Sequence, residues 1–343
     1  MQCPACSVDA PEGSRFCEAC GSALDGAAGN SGDVAAKLRC GKCGAGPEVV
    51  DDDGFCTQCG QVRRAPWRDH FEDALSARVA GVSDIGTSYE ENQDFFVLAS
   101  GPQHELVAIV CDGVSFSQNS KQGSKVSCEA ARDGILVALQ RGCADPNAIL
   151  KDALNQAQAA ISKVPFIRGL TEALAGSEPE PLPPAQATVV GVLVSGGRIT
   201  IGWLGDSRAY WVGAQGARQL TTDHSWFNDV VGSGAMTADE ARRDKRARAI
   251  ERSLGADFEG NNLGVDPDAL TLNLTESGVL LVTSDGFYTY AAESRIAELI
   301  KSLPKDIDAL SMSRRLVDYA RNAGGRDNIT VVAIIFHGSP STS

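Results

Sequence analysis

The stretch AIVCDGVSFS, Ala108–Ser117, decides how the larger part of this chain is read. An apolar run from Leu106 to Cys111 has strand length, ends in Asp112-Gly113 and is followed by small residues. A short continuous apolar run bounded by turn residues reads as a buried strand. An aspartate at the mouth of such a strand either caps a turn or faces a metal ion. Asp-Gly is a common turn pair, so this stretch alone leaves both readings open.

The neighbouring segments show that Leu106–Cys111 is one strand among many. DFFVLAS (94–100), ATVVGVLVSG (187–196), RITIGWLGD (198–206), RAYWVG (208–213), GVLLVTSD (278–285) and NITVVAIIF (328–336) are β-branched or aromatic runs closed by Gly, Asp or Ser. VSGGRI (194–199) is a Gly-Gly hairpin turn between two of them. Helices fall between these runs. Leu150, Leu154, Ala157, Ile161 and Val164 share one helical face. Residues 124–140 are a second candidate. Thr237 with Glu240 forms a capping box that opens a helix closed by Gly255. Residues 306–322 make the last helix, stopped by Gly324-Gly325. Strands in hairpin-like succession with helices inserted in pairs predict an α+β sandwich, not a doubly wound sheet.

The whole chain has 343 residues, enough for two or three units. Its 43% hydrophobic and 22% charged residues are an ordinary globular composition. Apolar runs stay at strand length, far from the roughly 20 residues of a membrane helix. The first residues, MQCPACSVDA, lack the basic start and apolar core of a secretory leader. The expectation is a cytoplasmic protein with no membrane association. A net charge of −13 repels nucleic-acid phosphate.

Eight of the 11 cysteines precede residue 60. CPAC (Cys3, Cys6) is followed by CEAC (Cys17, Cys20), and the pattern recurs as CGKC (Cys40, Cys43) and CTQC (Cys56, Cys59). Two CxxC hooks place four thiolates around one tetrahedral ion. Disulfides lack a secretory context here, and a redox CxxC lacks its strand–helix setting. The repeat resembles a double zinc ribbon with two structural Zn²⁺. Cys111, Cys128 and Cys143 read as small core residues. The expected division is a ribbon domain over 1–62, a linker over 63–77 and a main domain over 78–338. In the segment that leads into the main domain, Trp67 and Phe71 either pin the ribbon to it or plug the edge of its core, the second being the commoner arrangement.

Asp94, Asp112, Asp206, Asp285 and Asp327 all stand at strand edges. Carboxylates that share one pocket raise one another's pKa unless cations intervene. An all-oxygen set suits Mg²⁺ or Mn²⁺. Any one of these aspartates is more simply a turn residue; the set of five is what points to a metal site.

In order, the chain carries ENQD, VCDGV, ATVVGVL, GWLGDSRAY, LTTDHS, LLVTSDGF and GGRDNITVV. This series resembles the metal-dependent protein phosphatases of type 2C, of the bacterial kind, over residues 79–336. The resemblance implies a four-layer α/β/β/α sandwich of two antiparallel sheets, with a flap subdomain over about residues 225–262. It implies two Mn²⁺ or Mg²⁺ ions at Asp94, Asp112, the Gly113 carbonyl, Asp285 and Asp327. Asp112, Asp285 and Asp327 would act through a metal-activated water on phosphoserine or phosphothreonine. Asp206, Ser207, Asp223 and His224 would be mainly structural, and His70, His104 and His337 would be surface residues.

Three departures stand out. Where the family has an arginine five residues before the first aspartate, this chain has Tyr89. A Gly-Gly pair after Asp-Gly is replaced by Ser115-Phe116, and PPAQAT (183–188) offers no carboxylate for a third metal. Lys121 and Lys125 are candidate substitutes for the missing arginine. The leading expectation is therefore a Ser/Thr phosphatase that opposes a protein kinase, with the ribbons as a protein-docking arm. The alternative is a pseudophosphatase that binds phosphoproteins through an impaired site. Nucleic-acid binding by the ribbons ranks last, because Arg15, Lys37, Arg39 and Lys42 form no patch.

Overall fold

The computed structural model describes residues 69–172, 180–273 and 276–337, together with Ala45, Thr57 and Gln58. The chain divides into two units between Arg68 and Asp69. The eight ribbon cysteines, Trp67 and the first part of the expected linker lie outside the described residues.

Among the described residues, the second unit has eleven principal strands. They are β1 (His70–Ser76), β2 (Val79–Asp84), β3 (Asp94–Ser100), β4 (Leu106–Asp112), β5 (Val189–Ser195), β6 (Arg198–Leu204), β7 (Arg208–Gly213), β8 (Gly216–Gln219), β9 (Asp268–Asn273), β10 (Gly278–Thr283) and β11 (Ile329–Phe336). One sheet runs β1-β2-β11-β10-β7-β8 and the other β9-β6-β5-β4-β3. Neighbouring strands pair antiparallel throughout. Its helices are α1 (Ser120–Gln140), α2 (Pro146–Ile161), α3 (Trp226–Gly232), α4 (Ala238–Ala241), α5 (Asp285–Tyr288), α6 (Glu293–Ser302) and α7 (Ala309–Asn322).

Strand alternation builds the layers. On β4, Val107, Ile109 and Cys111 pack with Cys128, Ile135, Leu150 and Leu154 of α1 and α2. Ala108 and Val110 point the other way, into a core shared with Val79, Leu280, Val282 and Val332 of the opposite sheet. The outer face of that sheet, including Val82, Leu281 and Val331, packs on Ile296, Met312 and Leu316 of α6 and α7. The result is the expected four-layer α/β/β/α sandwich. Both faces of each central strand are covered, which is why these strands read as continuous apolar runs and not as alternating ones.

Several local expectations are met. Gly196 and Gly197 turn the β5–β6 hairpin with φ of 56° and 76°, a conformation that glycine adopts without steric cost. Leu150, Leu154, Ala157 and Ile161 form the buried face of α2. Phe71 stacks on Phe96 at 4.8 Å between centroids and closes the edge of the inter-sheet core.

Others need correction. His70–Ser76, within the expected linker, is an edge strand paired with β2; its sequence HFEDALS is mostly exposed, so it carries no apolar pattern. Cys143 is exposed, because it follows the turn that ends α1. The capping box of Thr237 and Glu240 is present, yet the helix it opens stops at Ala241. The chain then turns back and pairs with residues 224–226 at the start of α3, with Trp226 N donating to Ala249 O and Glu251 N to His224 O.

Candidate active site

The strand ends bring the sequence-predicted aspartates to one end of the sandwich. Asp94 and Asp112 face each other across the β3–β4 ladder. On the opposite sheet, Asp285 follows β10 and Asp327 precedes β11, and these two strands are paired. Asp94 spans the two sheets: its Oδ2 accepts from Ser284 Oγ at 2.6 Å and from Thr330 Oγ1 at 2.7 Å.

Both Asp-Gly pairs exist for closeness and not for turning. Neither Gly113 nor Gly286 has a positive φ. A Cβ on Gly113 would meet the Gln93 and Ser120 carbonyl oxygens at 2.8 and 2.9 Å. On Gly286 it would lie 1.9 Å from the Asn328 carbonyl oxygen. Only a residue without a side chain lets these backbones approach.

Two asparagines that the sequence reading passed over hold the ring of aspartates. Asn328 Oδ1 accepts from Gln93 N at 2.7 Å, and its Nδ2 donates to Ile85 O. Asn92 Nδ2 donates to Ser83 Oγ, and its Oδ1 accepts from Asp94 N. Asn92 is in turn tied to Asp69, whose Oδ2 accepts from Asn92 N at 3.0 Å. Their signal was in plain view, since each belongs to a quoted motif, ENQD or RDN. Beside Asp112, Thr188 N donates to the Asp112 carbonyl, and Thr188 Oγ1 pairs with Ser207 Oγ at 2.7 Å.

Asp206 and its neighbours form a buttress. Tyr288 OH donates to the Asp206 carbonyl at 2.9 Å. Arg208 forks onto Asp223 at 2.8 and 2.6 Å, with its guanidinium 3.6 Å from the Tyr288 ring centre. His224 Nδ1 accepts from Gly205 N, and burial lowers the pKa of its imidazole. A neutral ring held by a backbone N–H fits a structural role for His224. His70, expected at the surface, is half-buried on the buried Asp84 carboxylate at 2.8 Å, and that hydrogen bond raises its pKa.

The carboxylates strongly perturb one another. Burial raises Asp94 to about 7, opposed by its two hydroxyl partners and assisted by the charge of Asp327. Burial first, then the charges of Asp94, Asp285 and Asp327, push Asp112 well above the usual range. Asp285 is raised likewise, by burial and then by Asp327 and Asp206, and burial also raises Asp327. Asp206 rises to about 6. Buried like charges protonate or take up cations.

Tyr89 belongs to this ring. Burial raises its hydroxyl pKa, a hydrogen bond with Ser115 opposes the rise, and the charges of Asp327, Asp285 and Asp112 all reach it.

The donor set fits a hard divalent cation. Asp94 Oδ1 is buried with no hydrogen-bond partner and sits across the ladder from another carboxylate. Two acceptors facing each other need a proton or a cation between them. Among the described residues no three His, Cys, Asp or Glu side chains are already gathered closely enough to hold an ion.

A four-layer antiparallel sandwich with a carboxylate ring at one end is the class of protein that fold and site define. Residues 86–321 match the family model described as protein phosphatase 2C. The chain belongs to that family. Residues 3–60 match the model described as a double zinc ribbon.

Known relatives include protein phosphatase PhpP of Streptococcus pneumoniae, 34% identical over 131 residues, 38% of this chain and 50% of that protein. The serine/threonine phosphatase stp of Listeria monocytogenes is 30% identical over 150 residues, 43% of this chain and 55% of that protein. The chain thus spans about half the length of these relatives. Among solved structures, the PPM Ser-Thr phosphatase MsPP of Mycobacterium smegmatis superposes with a TM-score of 0.58 at 27% identity, covering 78% of this chain and all of that one.

Among the described residues no helix is long and apolar enough to cross a membrane.

Proposed function

We propose that this protein hydrolyses phosphoserine and phosphothreonine esters in proteins, using two Mn²⁺ or Mg²⁺ ions. The observation that carries this reading is the convergence of Asp94, Asp112, Asp285 and Asp327 at one end of the sandwich, each with its acid form favoured by burial. Asp112 would be shared by the two ions with the Gly113 carbonyl as its neighbour, Asp285 and Asp327 would complete one site, and Asp94 would act at the other, directly or through water. When bound, the ions supply the charge that ionises these carboxylates, activate a water for direct attack on phosphorus and offset charge on the phosphoryl oxygens.

The chain's own residues set up that chemistry. Ser284 and Thr330 fix the Asp94 carboxylate, so its free oxygen points to the ring. Asn328 and Asn92 clamp the loop that carries Tyr89 between β2 and β3. Thr188 and Ser207 hold the backbone of Asp112. His224 already accepts a backbone N–H, which makes it a poor proton donor to a leaving group.

The relatives' printed names, protein phosphatase and serine/threonine phosphatase, agree with this substrate class. The same reading assigns structural Zn²⁺ to Cys3, Cys6, Cys17 and Cys20, and to Cys40, Cys43, Cys56 and Cys59. It makes the ribbons a docking arm, the counterpart a Ser/Thr kinase or its substrates, and the location the cytoplasm.

Tyr89 favours a second reading, a pseudophosphatase that binds phosphoproteins, because tyrosine cannot copy a guanidinium fork. Turnover of a phosphothreonine peptide by the full chain separates the two. The phosphatase reading expects hydrolysis that requires Mn²⁺ or Mg²⁺ and is lost in Asp112→Asn; peptide binding without turnover at any metal concentration would contradict it.

A further inference from the structure

A phosphate ester arriving at the aspartate ring brings two negative charges, and the arginine expected five residues before Asp94 is absent. Most nearby cations are already engaged. Lys121 Nζ is 2.8 Å from Asp69, and Lys125 lies over the Phe95 ring. Arg208 is forked onto Asp223. Arg252 is tied to the Asp266 carbonyl and to Asp268, and Arg246 to Asp244.

Arg248 differs. It is exposed, and among the described residues its side chain makes no ion pair or hydrogen bond. The strip just after it is fixed in place. Ala249 O accepts from Trp226 N, Ile250 bridges Ser225, and Glu251 N donates to His224 O. His224 is hydrogen-bonded through both its ring and its backbone to Gly205, the neighbour of Asp206. This short ladder hangs the Arg248 segment beside the Asp206 buttress. The charge of Arg248 reaches both Asp285 and Asp327, where it opposes the effect of burial.

We propose that Arg248 grips the phosphoryl group of the substrate, doing from the flap segment the work of the arginine whose place Tyr89 occupies. A guanidinium that is unpaired yet within electrostatic reach of two carboxylates is free to fork onto a dianion held between it and the ring. Tyr89, with its hydroxyl on Ser115 and within reach of the charges of Asp327, Asp285 and Asp112, then borders the ring as a neutral wall. A neutral wall admits the ester and leaves its charge to Arg248. The inference rests on the phosphatase reading and assigns one further residue to it.

The test uses the full chain with Mn²⁺, p-nitrophenyl phosphate as substrate and orthophosphate as competing ligand. The variants are Arg248→Ala, Arg248→Lys and, as a control that removes the same charge from the same segment, Arg243→Ala. Losing a charge-assisted fork weakens anion binding roughly ten- to a hundredfold. Arg248→Ala is therefore expected to raise KM and the orthophosphate inhibition constant by at least about tenfold, while kcat changes only a few-fold. Arg248→Lys recovers part of the loss, and Arg243→Ala recovers wild-type values. Because Arg248 makes no hydrogen bond or ion pair among the described residues, Tm should not change, so a folding defect is separable, and saturating Mn²⁺ in every assay removes any effect of its charge on metal binding at Asp285 and Asp327. Hydrolysis by the wild type with an unchanged orthophosphate constant in Arg248→Ala overturns this inference and leaves the phosphatase reading standing. No hydrolysis, but orthophosphate binding (read as a rise in Tm) that disappears in Arg248→Ala, supports the grip and sinks the catalytic reading. No hydrolysis and no orthophosphate binding overturns both.

Discussion

Replacing Asp94 by asparagine should stabilise the protein when divalent cations are absent, and only above mid-acidic pH. Asp94 is 3% exposed, and one of its oxygens has no hydrogen-bond partner. Its folded pKa of about 7 lies above the unfolded value of 3.8. The sign follows from proton counting. Between these two values the folded state holds a proton that the unfolded state has lost, so stability falls as pH rises. The contribution is fully present below about pH 4 and is gone above about pH 7. A rise of roughly three units at about 1.4 kcal/mol each sets a ceiling near 4 kcal/mol, part of which belongs to the neighbouring aspartates. Asparagine keeps an oxygen for Ser284 and Thr330 and puts an N–H₂ toward Asp112, so the repulsion goes and the hydroxyl bonds remain. At about 2–4 °C per kcal/mol for a domain of this size, a rise in Tm of roughly 5–10 °C is expected at pH 7.5, with almost none at pH 4.5. Thermal unfolding of the full chain, in buffer stripped of Mn²⁺ and Mg²⁺ by a chelating resin, reads this directly. In excess Mn²⁺ the order should reverse, because ligand binding then stabilises the wild type more. An Asn variant that is less stable than wild type in stripped buffer at pH 7.5, or a Tm shift independent of pH, would refute the reasoning.

Two further substitutions probe the frame of the site. Gly286→Ala sets a methyl 1.9 Å from the Asn328 carbonyl, so the Asp327–Asn328 backbone must move; the expected cost is about 1–3 kcal/mol, with weaker Mn²⁺ binding, and denaturation together with metal titration shows both or neither. Arg208→Lys replaces a fork on Asp223 and a stack on Tyr288 by a point charge; a loss of about 1–3 kcal/mol is expected, and a urea midpoint equal to wild type would mean that the fork contributes nothing.

The sandwich was legible because its strands announce themselves. Leu106–Cys111 and Val189–Val194 are apolar runs long enough to be buried on both faces, and the Gly-Gly hairpin needed no tertiary help. The capping box at Thr237 was legible too, but not the length of its helix. The chain leaves the helix after one turn and runs on to pair with residues 224–226, a tertiary contact that local propensity does not contain. The edge strand His70–Ser76 was invisible for a related reason. Its fixed points are Phe71 on the sheet core and His70 on Asp84, and both partners are distant in sequence. For the site, the aspartates could be picked out in the sequence, since each sits at a strand end. The residues that hold them stand in the same motifs, but their pairing was not legible, because Asn92, Ser284, Thr330 and Asn328 become partners only when two sheets meet. The glycines after Asp112 and Asp285 looked like turn residues and are points of close backbone approach, a difference that only three dimensions can show.

The claim on which the account rests is that the strand-end aspartates hold two divalent cations. Counting Mn²⁺ bound per full-length chain by electron paramagnetic resonance, for wild type and for Asp112→Asn, tests it most directly. Two Mn²⁺ close enough to couple their spins are expected for the wild type, with that coupled signal lost in the variant. A wild type that binds no Mn²⁺, or a variant with the same coupled pair, would contradict it.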